Sequence, residues 1–195
     1  MFDEVVLGSE FFEELLAMDA SVAEAVRRAR CRRCGGPLHR GDYERKARSG
    51  LGWAIGEAFS RRFSFCCGRE GCRRRSTPPS LRFLGRRVYV EAVVIAACLV
   101  ARRLDRPRHV QQITEVPPRT VRRWLSWWSG AFTKSAVFVE LCAHFIGLRA
   151  ESLPTCLFEK MSATGTEKLS QAARWLAPLT TRSVTDGSRC LRALG

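Results

Sequence analysis

Nine cysteines are spread along this 195-residue chain, and four of them fall at spacings that metal coordination uses. Cys31-Arg32-Arg33-Cys34-Gly35-Gly36 places two thiols two residues apart, so both can reach one ion from a tight turn, and the glycines let backbone amides point at sulfur. A second group, Phe65-Cys66-Cys67-Gly68-Arg69-Glu70-Gly71-Cys72, has 31 residues between Cys34 and its first cysteine and offers Cys67 and Cys72 across a four-residue gap. Cys31, Cys34, Cys67 and Cys72 together make a tetrahedral four-thiolate set suited to one structural zinc ion, Zn2+. Cys66 is separated from Cys72 by five intervening residues, outside the usual range, and reads as a packing thiol or an alternate ligand. His39, alone in a basic hairpin, reads as a surface or phosphate-facing residue. A redox CxxC belongs beside a βαβ pattern, and none is present. Of the rest, Cys98 and Cys142 lie on apolar helical stretches and are expected in the core, while Cys156 and Cys190 stand singly.

A second set of residues carries positive charge on a helical period. In residues 118–128, Val121, Trp124, Leu125 and Trp128 follow the spacing i, i+3, i+4, i+7 and form one apolar stripe. Arg119, Arg122, Arg123 and Ser126 repeat that spacing on the opposite face. A helix docked by its apolar side and armed with guanidinium groups on the other can enter a major groove, where arginine pairs with guanine or binds phosphate. Pro118 suits a first helical turn. Residues 110–114 have room for a short preceding helix, residues 115–117 supply a turn, and residues 88–104 supply a support, which completes a trihelical helix-turn-helix. Trp124 and Trp128 belong to the buried stripe, whereas Trp127 sits on a flank and stays open.

The charge is segregated along the chain. The formal net charge is +14, yet residues 1–26 hold seven acids and no Lys or Arg, and residues 27–87 hold 18 basic and four acidic residues. Clustered cations are the electrostatic footprint of a polyanionic partner. Arginine outnumbers lysine 29 to 4, a skew that coding bias alone can produce, but bias does not explain the segregation.

These residues need elements to position them. Ser9 opens a short helix, and Ser21 with Glu24 fits a capping box for a second one running to about Ala29. Residues 37–40, 43–48 and 61–65 read as short β runs broken by Gly-Gly, Gly-Asp, Ser-Gly and Pro-Pro. That segment has few aliphatic residues and needs another source of stability, which a metal would supply. Residues 87–104 are apolar on nearly every face and read as a central buried helix. Further helices are expected at about 107–114, 118–129, 135–148, 153–161 and 166–177. The expected class is α+β, mostly α, divided into an acidic helical arm (1–30), a β-rich zinc ribbon (31–84), a helix-turn-helix (85–130), C-terminal helices (131–182) and a tail (183–195). The longest apolar run, residues 88–101, contains Glu91 and falls short of the roughly 20 residues that span a bilayer, so no transmembrane helix is expected. The acidic N-terminus lacks a secretory pattern, and the odd cysteine count fits a reducing compartment, so a cytoplasmic, nucleoid-associated protein is expected.

The order of knuckle, basic hairpin, second knuckle with CRRRSTPPSLRFLGRRVYV, helix and RTVRRWLSWW resembles an uncharacterised family of bacterial mobile-element-associated proteins. They are similar to the N-terminal DNA-recognition modules of insertion-sequence transposases. The resemblance covers about residues 31–130 and implies a zinc ribbon joined to a helix-turn-helix, with DNA binding in a transposition setting. It departs from the pattern at Pro117, where a Ser or Thr cap is usual, and in the four-residue gap of the second knuckle.

No catalysis is expected. Transposase chemistry needs three carboxylates on an α/β scaffold to hold two metal ions. The acids after the helix-turn-helix, Glu140, Glu151, Glu159, Glu167 and Asp186, stand in helical or tail context. There is no glycine-rich phosphate loop, no Ser–His–Asp arrangement and no evident small-molecule substrate. The expected function is a zinc-stabilised DNA-binding protein. Arg40, Arg45, Lys46, Arg61, Arg62, Arg73, Arg74 and Arg75 would grip phosphates, while Arg119, Arg122, Arg123 and Ser126 read the groove. The alternatives are a protein-interaction adaptor for a transposase, or the N-terminal remnant of a longer transposase.

Overall fold

A computed structural model describes residues 8–45, 56–84, 90–103, 111 and 116–180. The fold is mostly helical α+β, with small antiparallel sheets around the four-cysteine cluster followed by helices. Helix α1 (Ser9–Arg28) leads into β1 (Leu38–Arg40) and β2 (Tyr43–Glu44). Then come a short helix α2 (Glu57–Ser60), β3 (Arg61–Arg62), β4 (Phe65–Cys67) and β5 (Arg75–Ser76). The helical part consists of α3 (Glu91–Arg103), α4 (Pro118–Ser129), α5 (Ala136–His144), α6 (Thr155–Lys160) and α7 (Gly165–Leu176). No helix among the described residues is long and apolar enough to cross a membrane.

The two helices expected before Cys31 are one. Ser21 does not cap a new helix, because its hydroxyl donates to the Ala17 carbonyl at 3.1 Å inside an unbroken one. Glu24 instead takes Arg27 and Arg28 at 2.8 and 3.0 Å, which holds its carboxyl down at about 2. At about 1.5 Å per residue this 20-residue helix is roughly 30 Å long, enough to serve two cores. Its first half buries Phe11, Phe12 and Leu15 in the helical core, and its second half buries Ala23 against Cys31, Leu38, Phe63, Phe65 and Cys67. The acidic segment is thus built into the body through its apolar face, with Glu10, Glu13 and Glu14 left exposed.

Strands β1, β4 and β5 form one sheet in that spatial order, with Leu38 opposite Cys67, His39 opposite Cys66, and Cys66 opposite Arg75. Strands β2 and β3 pair Tyr43 with Arg62 and Glu44 with Arg61. Helix α3 buries Ala92, Val93, Val94, Ile95, Ala97, Cys98 and Leu99, as its all-round apolarity predicts. Burial pushes the Cys98 thiol up to about 12, so it behaves as a core residue. Cys142 is a correction: it is exposed on α5, because that helix is apolar on several faces and only Val137 and Leu141 turn inward.

Two charged residues with no role in the sequence reading hold the parts together. Arg82 is fully buried and donates from Nε to Asp19 Oδ2 at 2.7 Å, from Nη2 to the Arg61 carbonyl at 2.9 Å, and from Nη1 to the Phe59 carbonyl. Asp19 also accepts from the Ser80 hydroxyl at 2.7 Å and the Leu81 amide at 2.6 Å. The rings of Phe59, Phe63 and Phe83 surround the guanidinium at 4.9 to 5.3 Å. Through the Arg82 carbonyl, which accepts from the Glu91 amide at 2.9 Å, the network reaches the start of α3.

Glu91 itself is buried, and neither carboxyl oxygen has a hydrogen-bond partner among the described residues. Loss of solvent, and then the nearby Asp19 charge, raise its pKa well above the ordinary carboxyl range. A carboxyl raised in the fold gives its stabilising contribution in full below its unfolded pKa of about 4.3, and that contribution is lost as pH rises toward the folded value. The variant E91Q should therefore be more stable than the parent at pH 7, with the gap opening by about 1.4 kcal/mol per pH unit above the unfolded pKa and closing at pH 4. Urea unfolding across that range checks this; a gap independent of pH would refute it.

Candidate metal centre

Each knuckle is shaped by local backbone geometry. In the first, the amides of Cys34 and Gly35 donate to the Cys31 carbonyl at 3.3 and 2.8 Å, and the Cys31 amide closes the loop on the Gly36 carbonyl at 3.0 Å. Gly35 has φ +67°, a conformation that glycine adopts without penalty. Gly36 is required by space: a Cβ there would sit 3.0 Å from Cys67 Sγ and 3.3 Å from Cys34 Sγ. The second knuckle turns through Gly71 at φ +78°, and the Cys72 amide donates to the Arg69 carbonyl at 3.1 Å. At Gly68 a Cβ would meet the imidazole of His39, an exposed side chain that can turn aside.

Strand pairing then closes the two knuckles on each other. Cys34 Sγ lies 3.5 Å from Cys67 Sγ, and Cys31 Sγ lies 3.8 Å from Cys72 Sγ. All four sulfurs lie within 4.8 Å of one another. A tetrahedral site with metal–sulfur bonds of about 2.3 Å has sulfur–sulfur edges of about 3.8 Å, so this cluster can hold one metal ion. Its donors bury Cys31 and Cys67 and leave Cys34 and Cys72 half-buried, in keeping with a closed structural site.

The thiols differ in acidity. Amides of Arg33 and Cys34 bring Cys31 down to about 7. Cys67 accepts from the Arg69 amide, which favours its thiolate, but burial and hydrogen bonds with the other three sulfurs outweigh this and push it up to about 12. Metal-free, Cys31 ionises well before Cys67; a bound cation favours the thiolate form of its ligands.

No family model, curated protein or solved structure matches this chain. The functional reading therefore stands on the residues themselves.

Cys66 is outside the cluster. Successive strand residues face opposite sides, so burying Cys67 against Leu38 turns Cys66 outward, where its thiol donates to the Arg73 carbonyl at 3.4 Å. Among the arginines expected to grip phosphate, Arg62 is a correction. It is 1% exposed and donates to the Pro78 carbonyl, and burial lowers its pKa to about 10. Alternation in β3 points Arg61 out and Arg62 in. Arg40 is exposed but pairs with Asp42 at 3.1 Å, and Arg45 lies half-buried near the rings of Tyr43 and Phe83. Arg73, Arg74 and Arg75 are exposed, and Lys46 lies outside the described residues.

Helix α4 spans Pro118–Ser129, with Pro118 in its first turn. It buries Val121, Trp124 and Trp128, half-buries Leu125, and leaves Arg119, Arg122, Arg123 and Ser126 exposed. Trp127, left open by its flank position, packs half-buried against Trp128 and Phe132 at 5.0 and 5.2 Å between ring centres. Most of the expected helix at 107–114 lies outside the described residues. Sequence reading missed Arg69, whose Nη1 donates to the Cys34 carbonyl at 3.1 Å and braces one knuckle with the other. No local spacing signals a contact across 35 residues.

Proposed function

We propose that this protein is a zinc-stabilised, non-catalytic DNA-binding protein. The observation that carries the reading is α4, which keeps its aromatic side against α3 and turns Arg119, Arg122, Arg123 and Ser126 to solvent. An exposed stripe of guanidinium groups on a helix anchored by its other face is a means of reaching base edges in a major groove. Four thiolates select zinc for the metal centre, and the ribbon's arginines supply sequence-independent phosphate contacts. A transposition or mobile-element setting, and a nucleoid location, rest on the sequence resemblance.

A second reading, an adaptor that binds a partner protein such as a transposase, draws on α5 and the turn after it, where Val139 is 67% and Ile146 87% exposed. Exposed large apolar side chains on one element suit a protein interface better than a nucleic acid.

Selection from a randomised duplex pool tests the first reading. The parent should enrich a preferred site, and R122A should lose about 1–3 kcal/mol of discrimination at one base position, while losing less on bulk DNA. Equal losses on every sequence would remove α4 from the groove.

A further inference from the structure

The arginines flanking the metal ligands come from two stretches of chain separated by more than 30 residues, yet the cysteines they flank close on one another. Arg32 and Arg33 lie between Cys31 and Cys34; Arg69 lies between Cys67 and Cys72, and Arg73 and Arg74 follow directly. All five are exposed, and none has a carboxylate within ion-pairing distance among the described residues. This sets them apart from Arg27, Arg28 and Arg40, whose charges are answered by Glu24 and Asp42.

Closure of the cluster is what brings them together. Sulfur–sulfur distances of 3.5 and 3.8 Å tie the knuckles at their tips, and Arg69 crosses from the second knuckle to the Cys34 carbonyl of the first. Arg73 has φ +44° and Arg30, just before Cys31, has φ +61°, left-handed conformations that favour glycine over arginine. Long cationic side chains kept in such conformations at the outer edge of both knuckles point to a use for the charge.

We infer, building on the DNA-binding reading, that the knuckle tips form a metal-assembled site for the phosphodiester backbone, in which Arg32 and Arg33 act with Arg73 and Arg74. Neutralising the centre does not account for these residues. Four thiolates around a divalent ion leave a charge of about −2, and with Glu70 this still leaves a surplus of about three from Arg30 and the five knuckle arginines. Guanidinium groups suit phosphate oxygens by their forked geometry. Arg69 is a positioning residue, since its Nη1 donates to the Cys34 carbonyl and ties the two knuckles together. Sequence reading assigned Arg73 and Arg74 to phosphate but not Arg32 and Arg33, whose place in the site depends on the second knuckle.

The experiment compares R32Q/R33Q and R73Q/R74Q with the parent, each checked for one equivalent of bound zinc, by titrating a labelled duplex of arbitrary sequence over a range of salt. Each double variant should weaken binding on all sequences and reduce the slope of log K against log salt by about 1.8, at about 0.9 per phosphate contact. Zinc-loaded double variants that keep the parental slope would overturn the site while leaving DNA binding through α4 in place. A parent that binds no duplex would overturn the DNA-binding reading itself, and the site with it. Arginine-specific modification of the parent by phenylglyoxal, read by mass spectrometry, is independent of any variant's folding. Saturating duplex should protect Arg32, Arg33, Arg73 and Arg74, and equal modification with and without duplex would overturn the site.

Discussion

Removing the metal by chelation, or replacing Cys67 by Ser, should unfold the ribbon between residues 31 and 76 while much of the helical signal survives. The ribbon's own core is small: among the described residues Ala23, Cys31, Leu38, Phe63, Phe65 and Cys67 are its buried apolar members, and two of these are ligands. Its strands are two or three residues long, too short to hold one another in water. Structural zinc supplies on the order of 10–16 kcal/mol in small zinc-dependent folds, at least as much as the 5–15 kcal/mol that stabilises an ordinary domain. The helices keep a separate core built on α3, with Val94, Ile95, Trp128 and Leu141 among its members, which does not depend on sulfur. Hydrogen exchange should therefore show protection lost at residues 38–40 and 65–67 and retained in α3 and α7. C66S is the control: its thiol faces away, so it should bind one equivalent of metal and keep that protection, whereas C67S should do neither. Unchanged protection at residues 38–40 in metal-free protein would show that the ribbon stands without the ion.

What the sequence made legible was decided by local spacing. Two ligands per knuckle are set by turns of a few residues, so Cys31, Cys34, Cys67 and Cys72 could be paired before any fold was known. Helix α4 was equally plain, since its opposed stripes at Val121, Trp124 and Trp128 and at Arg119, Arg122 and Ser126 share one helical period. Where two neighbours were chemically alike, the pattern could not choose between them. Arg61 and Arg62 differ in burial because β3 alternates, whereas for Cys66 and Cys67 the spacing to Cys72 favoured Cys67 and the pairing of β4 with β1 turns it inward. Helix α5 misled for the opposite reason: a helix apolar on most faces does not say which one is buried, so Cys142 was expected inside and lies outside. The hidden acid–base pairing was beyond any local rule. Asp19 looked like one more acid of a solvated arm, and only Arg82, 63 residues away, explains why it is buried.

That pairing carries the second large effect. D19A would leave the Arg82 guanidinium fully buried without its counter-charge, and would strand the Leu81 amide as well. Breaking a buried pair from one side typically costs about 3–5 kcal/mol, because the remaining charge keeps its desolvation penalty and loses its compensation. R82M should cost a similar amount by taking the hydrogen-bonded counter-charge from Asp19, which keeps its bonds from Ser80 and Leu81, and by orphaning the Phe59 and Arg61 carbonyls. The double variant D19L/R82M should be destabilised by much less than the two single losses added, since it leaves neither charge behind. Urea unfolding of the four proteins measures the cycle. A loss below about 1 kcal/mol for D19A, the ordinary worth of an exposed pair, would mean that the network is hydrated in solution. Because the same atoms join α1, the end of α2, β3 and the start of α3, loosening them should also relax the placement of the ribbon relative to α4. At temperatures where D19A remains folded, its affinity for duplex DNA should fall although no residue proposed to touch DNA has changed. R82M should show the same loss, and D19L/R82M should recover part of it.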